Sequence, residues 1–371
     1  MANDLKKVSL IGETKVKRRW FLGLIIFIAS TCLAVFLATS APAQTPELPA
    51  ESLRYLADLQ GFSIGASAKP KPLERVPKYG SLFAREFNTL MPENALKFAP
   101  VHPERDVYDF TKADALVSFA LARNMQVRGH TLVWFHALPR WLLEGNFSRE
   151  ELMAILEDHI KTVVGRYRGH IYAWDVVNEA VEADGSLRDT FWLQGIGPEY
   201  IDLSFRWAHE ADPDAALFLN DYAEGMNSKS DTQYALVKGM VERGVHIDGV
   251  GFQSHLGFLS ADDPQEVAEN IKRLGELGLQ VAFTEMDMPI YNLPGKTIKE
   301  KLDSQARLYR YFLKMCLDAT NCNDIIFWGL TDRYTWLKNF TGDSKSPLIF
   351  DEDFNPKPAY FAIKEELRSR N

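Results

Sequence analysis

The sequence is poor in cysteine, with three in 371 residues: Cys32, Cys316 and Cys322. Their spacing matches no zinc site, and H-E-x-x-H is absent. Nucleotide fingerprints are missing too. Gly195-Ile196-Gly197 and Gly249-Val250-Gly251 lack the third glycine of a dinucleotide loop, and no G-x-x-x-x-G-K-S/T occurs. No nucleotide and no metal cofactor is therefore indicated. Basic charge is short as well: the formal net charge of −8 argues against nucleic acid, because phosphate binding needs a basic face. No Pro/Gly/Ser-rich linker and no internal repeat divides the chain. What is present, 46% hydrophobic and 12% aromatic residues, is too apolar for disorder and enough to bury a large core.

The charge is unevenly spread. Residues 1–43 hold six basic and two acidic side chains, which leaves the other 328 residues at −12. Lys15, Lys17, Arg18 and Arg19 precede an uncharged apolar run from Trp20 to Thr39, and Ala41-Pro42-Ala43 follows it. Basic region, apolar region and A-x-A site together describe a secretory signal peptide over 1–43, with the mature chain starting near Gln44. About 20 apolar residues also suffice to span a bilayer, so an uncleaved membrane anchor over 20–40 is the other reading. Both imply export, to the periplasm or the exterior or to the membrane surface. In an oxidising compartment Cys316 and Cys322 are expected to pair; two buried free thiols are the alternative.

Beyond the leader, short apolar runs alternate with amphipathic helical stretches. Eight runs read as strands: 61–67, 87–91, 126–134, 171–179, 216–221, 248–255, 280–285 and 324–330. Helical spacing marks Lys112–Asn124, Arg149–Tyr167, Ser228–Arg243, Pro264–Leu277 and Lys299–Ala319, with helix starts at Asp114 and Ser148. Strands separated by helices imply a parallel sheet, and eight such units over 44–371 predict one (β/α)8 barrel, expected to be a monomer without a separate carbohydrate-binding module.

In such a barrel the chemistry sits where strands end and loops begin. The runs end at Lys97, at Trp134 and His136, at Asn178-Glu179, at Asn220-Asp221-Tyr222, at Gln253 and His255, at Glu285 and Asp287, and at Trp328. Every one is polar or aromatic. Gly61-Phe62-Ser63-Ile64-Gly65 matches the G-x-S-x-G of serine hydrolases, but that motif needs a strand before the serine and a helix after it. Here the order is reversed.

Two carboxylates on different strands, among Asn, His, Gln and Trp, can cleave a glycosidic bond: one protonates the leaving oxygen while the other attacks the oxocarbenium-like centre. The tryptophans offer flat faces to sugar rings. Pro92-Glu93-Asn94-Ala95-Leu96-Lys97, the 128–134 segment RGHTLVW, the 174–180 segment WDVVNEA, Asn220-Asp221-Tyr222, the 251–255 segment GFQSH, Thr284-Glu285-Met286-Asp287, the 328–336 segment WGLTDRYTW and the closing 347–351 and 356–360 segments follow in order. Together they resemble glycoside hydrolase family 10, the endo-β-1,4-xylanases.

The resemblance implies a (β/α)8 barrel acting on xylan or a related β-glycan with retention of configuration, Glu179 as acid/base and Glu285 as nucleophile. His255, oriented by Asp287, would hold Glu285 ionised. Asn178 would bond the 2-hydroxyl of the sugar being cleaved. Asn94, Lys97, His130 and Gln253 would read hydroxyls on the non-reducing side, walled by Trp134, Trp328 and Trp336, and Tyr222 would support the leaving sugar. The chain departs from the family's W-H-x-Q-x-P: Phe135 and Ala137 replace the His and the Gln, with His136 between them. The Tyr222-Ala223-Glu224-Gly225 loop is one residue shorter than usual. A preference for another β-linked glycan, and a non-catalytic sugar-binding barrel, are the competing readings; the second would be marked by loss of a carboxylate, and both are present.

Overall fold

Eight parallel strands close into a barrel in the order β1-β2-β3-β4-β5-β6-β7-β8. They are β1 Ser63–Ala68, β2 Thr89–Pro92, β3 Gln126–Val133, β4 Ala173–Asn178, β5 Ala216–Asp221, β6 Gly249–Phe252, β7 Gln280–Met286 and β8 Cys322–Phe327. Each falls on one of the eight runs expected from the sequence. The computed structural model describes residues 51–222, 224–257, 263–342 and 345–370, so the leader expected over 1–43 lies outside the described residues. Among the described residues no helix is long and apolar enough to cross a membrane.

Strand ends differ from expectation where functional residues begin. β4 stops at Asn178, and Glu179 turns out of the strand at φ 57. β6 stops at Phe252 because Ser254 takes φ 58; His255 then rejoins the sheet through an isolated bridge to Asp287. β8 stops at Phe327, which leaves Trp328 just past the strand.

The helices sit outside the barrel. Ser148 begins the helix Arg149–Arg166 with a reciprocal capping box to Glu151, as the Ser-x-x-Glu spacing implies. Asp114 does not start its helix. That helix begins at Thr111, and the Asp114 carboxylate is occupied by Arg166 and by the Tyr167 hydroxyl, 2.9 Å away. Phe83, Phe87, Phe283, Phe312 and Tyr309 fill the space between strands and helices, each at most 2% exposed.

The barrel interior is partly ionic. Arg128 on β3 is fully buried, with Nη2 donating to Asp175 Oδ1 at 2.7 Å and Nη1 to Asp324 Oδ2 at 3.3 Å. The ring of Phe218 lies 4.2 Å below the guanidinium. A buried charge is tolerated only when paired this way. Gly129, next in β3, faces Trp174 across the sheet, and a Cβ there would overlap the indole.

Cys316 and Cys322 form the expected disulfide, with Cα atoms 5.0 Å apart. It ties the end of the helix Ile298–Asp318 to the start of β8, and closing so short a loop contributes about 2 kcal/mol by chain entropy.

Candidate active site

Three strands carry register shifts in their C-terminal halves: between His130 and Val133 on β3, between Asp175 and Val177 on β4, and between Phe283 and Met286 on β7. A bulge re-aims the side chains beside it. These are the strands that deliver His130, Glu179 and Glu285 to one rim.

Glu285 is 4% exposed at the end of β7. Asn220 Nδ2 donates to its Oε1 at 2.8 Å, and His255 Nε2 to its Oε2 at 3.3 Å; His130 Nδ1 stands 3.8 Å from Oε1. Burial alone would push this carboxyl up. The charge of His130, the hydrogen bond and charge of His255 and the Lys97 ammonium outweigh it and hold the group at about 2. Burial likewise opposes a charged His255, but Asp287, 3.0 Å from Nδ1, and Glu285 raise it to about 10. His255 is thus an imidazolium clamped between two carboxylates. Trp336 Nε1 donates to the other oxygen of Asp287 at 2.6 Å, so the orienting carboxylate is itself fixed.

Glu179 is the less buried of the pair. Its Oε1 accepts from Gln253 Nε2 at 3.1 Å and from Asn178 Nδ2 at 3.2 Å. Asn178 Oδ1 in turn accepts from Asn220 Nδ2 at 2.8 Å, so a run of amides joins the two carboxylates. The sheet register produces it: Asn178 pairs with Asn220, and Asn220 with Gly251. Thr284 Oγ1 donates to Asn220 Oδ1 at 2.6 Å and fixes which end of the amide faces Glu285.

Gly251 explains itself here. A Cβ at this position would overlap Asn220 Oδ1 and press on Thr284. Gly251→Ala is expected to displace Asn220 and lower turnover by roughly 10- to 100-fold, the scale on which a misplacement of about 1 Å acts, with the fold retained. Steady-state kinetics beside a circular-dichroism spectrum checks it.

The remaining expected residues surround the pair. Lys97 is 7% exposed, and its Nζ donates to Asn94 Oδ1 at 2.8 Å and lies 4.5 Å from the Trp134 ring and 5.8 Å from the Trp328 ring. Burial pushes its ammonium below the ordinary value, against the pull of Glu285, Glu93 and Glu179. Trp328 stands edge-on to His130 at 5.2 Å, and Trp336 packs on His255 at 5.1 Å. Tyr222 lies with its ring 3.6 Å from Lys229 Nζ. Gln253, expected against substrate hydroxyls on the non-reducing side, has its Nε2 3.1 Å from Glu179 Oε1 and 3.2 Å from Asn178 Oδ1. Ser63 opens β1 at the opposite end of the barrel, bonded to Thr89 at 2.7 Å, so it takes no part in this rim. The Arg188 guanidinium covers the Phe135 ring at 4.6 Å.

Several contributors escape a reading of strand ends. Asp175 holds His130 Nδ1 at 2.9 Å from inside β4. Asp221, held at about 6 by burial against the opposing charge of Lys229, 2.8 Å away, accepts from the Val181 N–H. Glu224, 1% exposed, receives the Ser254 N–H at 2.7 Å. Glu93 lies buried beside Lys69 at 3.2 Å. Of these four, Asp221 had a signal, its place beside Asn220 in a strand-end triplet; Asp175, Glu224 and Glu93 end no strand.

The sequence matches the family described as Glycosyl hydrolase family 10 over residues 52–366. It is 45% identical over 323 residues to an endo-1,4-beta-xylanase B of Thermotoga neapolitana, covering 86% of this chain and 92% of that one. Its fold superposes on xylanase 10B from Thermotoga maritima with a TM-score of 0.81 at 43% identity, covering 86% and 98% of the two chains. Xylanase 10B from Thermotoga petrophila RKU-1 in complex with xylobiose gives a TM-score of 0.80, also at 43% identity, with the same coverage.

Proposed function

The chain belongs to glycosyl hydrolase family 10, and from that premise we propose that it is a retaining endo-β-1,4-xylanase with Glu285 as nucleophile and Glu179 as acid/base. The observation that carries the assignment is the contrast between the carboxyls: Glu285 is buried among cations and held at about 2, while Glu179 is less buried and its carboxyl accepts from the amides of Gln253 and Asn178.

In the first step Glu285 attacks the anomeric carbon as the Glu179 carboxyl gives its proton to the leaving oxygen. The C–O bond to the leaving sugar breaks, and an ester to Glu285 forms. With the Glu285 charge consumed, Glu179 is left as a carboxylate that takes a proton from water; that water displaces Glu285 and regenerates both groups. His255 and Asn220 hold the Glu285 oxygens through the cycle. Asn178, fixed by Asn220, presents its amide to the 2-hydroxyl. Lys97, Asn94, His130, Trp134, Trp328 and Trp336 line the non-reducing side, and Tyr222 the leaving side.

Xylan as substrate is supported by the relatives described as endo-1,4-beta-xylanases and by a charge of −12 outside the leader, which suits a neutral polymer. The second reading, another β-linked glycan, rests on Phe135 and Ala137 in the cleft. Proton NMR of fresh digests on xylan, cellulose-type glucan and mixed-linkage glucan tests both. A ladder of short xylo-oligomers born in the β configuration supports the proposal. Product born α, or strong cleavage of a glucan beside none of xylan, overturns it. Residues 1–43 are proposed to direct export.

The acid side of the pH profile follows from the same electrostatics. Glu285 works ionised and sits below its ordinary 4.5, so its contribution to activity is lost only as pH falls toward about 2. Its contribution to stability runs in the same direction, complete above 4.5 and lost toward 2. His255→Asn removes a cation and a hydrogen bond while burial remains. The acid limb for an activated aryl glycoside is then expected to move up by about one pH unit or more, equivalent to about 1.4 kcal/mol. Initial rates from pH 2 to 7 in the variant and the parent check this.

A further inference from the structure

Glu179 adopts φ 57, a left-handed conformation that residues with side chains seldom take. Both its backbone groups are anchored. The N–H donates to the Asn220 carbonyl at 2.9 Å, and the carbonyl accepts from Arg188 Nε at 2.8 Å. Arg188 also reaches Tyr222 Oη at 2.9 Å and Glu182 Oε1 at 3.1 Å, and its own N–H donates to the Ala180 carbonyl at 2.8 Å. Its guanidinium lies over the Phe135 ring, and the side chain is only 12% exposed. One planar cation therefore ties the bend after β4 to the exits of β3 and β5.

We propose that Arg188, braced against Phe135, is a positioning residue for the acid/base: it grips the Glu179 carbonyl and so fixes the left-handed bend that aims the Glu179 carboxyl at the leaving oxygen. The inference rests on the assignment of Glu179 as acid/base. A fork of directed N–H donors is what the task needs. Nε serves Glu179, Nη2 serves Tyr222 and the flat face serves Phe135, a combination that a lysine ammonium cannot reproduce. Phe135, at a position where the family pattern usually has His, supplies the face on which that fork is held. Tyr222, placed on the leaving side, is set by the same cation, so the proton donor and the leaving-sugar platform are built as one unit.

The test compares two leaving groups. Xylo-oligosaccharides need protonation of the departing oxygen; a dinitrophenyl xylobioside does not. Arg188→Ala is expected to lower kcat on the oligosaccharide by roughly 10- to 100-fold, part of the ~10²–10⁴ that a general acid contributes, while the first-step rate on the dinitrophenyl substrate stays within about threefold. Arg188→Lys should recover little of the loss. Equal losses on both substrates, a loss confined to KM, or no loss overturns the proposal. Glu179→Ala is run beside it. If that variant discriminates between leaving groups and Arg188→Ala does not, only the positioning role falls; if Glu179→Ala itself fails to discriminate, the acid/base assignment falls. Should Arg188→Ala not fold, Phe135→Leu removes the flat face alone and carries the same comparison, with an expected selective loss of roughly 3- to 10-fold and the same overturning outcomes.

Discussion

Glu285→Ala is expected to hydrolyse neither xylan nor an activated aryl xyloside. Without the carboxylate no glycosyl-enzyme forms, and a good leaving group gives no escape because the missing partner is the one that attacks. The loss should reach about 10⁵-fold or more, the scale seen when a nucleophile that acts as part of a unit is removed. Glu285→Gln should be as inactive, since an amide keeps the shape and loses the negative charge. The two differ in stability. Alanine leaves His255, His130 and Lys97 without a carboxylate they share, whereas glutamine keeps an acceptor for His255, so the alanine protein should melt lower. Turnover of both substrates and thermal melts of both variants measure this. Residual turnover within 100-fold of the parent would remove Glu285 from the nucleophile's role.

Glu179→Ala should behave differently on the two substrate types. On xylan, whose departing alkoxide needs a proton, turnover should fall by roughly 10²–10⁴-fold. On a dinitrophenyl xylobioside the first step should proceed nearly unimpaired. The second step then lacks its base, so the ester to Glu285 accumulates and phenolate appears in a burst of about one equivalent per site before a slow steady state. Stopped-flow absorbance resolves the two phases. A variant that loses both substrates equally, or that shows no burst, would contradict the assignment.

How much of this was legible in the sequence depended on distance along the chain. The rim residues were readable because apolar runs give out at polar or aromatic side chains, Glu179, Gln253, His255, Glu285 and Trp328 among them, although β4, β6 and β8 themselves stop earlier, at Asn178, Phe252 and Phe327. The eight-strand barrel was readable from the alternation itself. The supports were not. Arg128 and Asp324 lie 196 residues apart and meet only because β3 and β8 both line the closed interior. Asp175 is hidden mid-strand, where a carboxylate gives no periodic signal, and Arg188 lies in a loop nine residues past the carbonyl it grips. The hydrogen bonds from Gln253 to Glu179 and Asn178 were hidden as well, since they join the exits of β6 and β4 across 74 and 75 residues. Asp114 looked like a helix cap by type and proved to be an ion-pair partner for Arg166, 52 residues on.

A retaining reaction through Glu285 passes through a covalent glycosyl-enzyme, and trapping that ester tests the assignment most directly. The protein is incubated with an activated deoxyfluoro-xylobioside, which slows the second step, and is then digested and sequenced by mass spectrometry. Inactivation is expected with one disaccharide attached, carried by the peptide containing Thr284-Glu285-Met286 and located on Glu285. A label on Glu179, or turnover that proceeds with no label and inverts configuration, would contradict it.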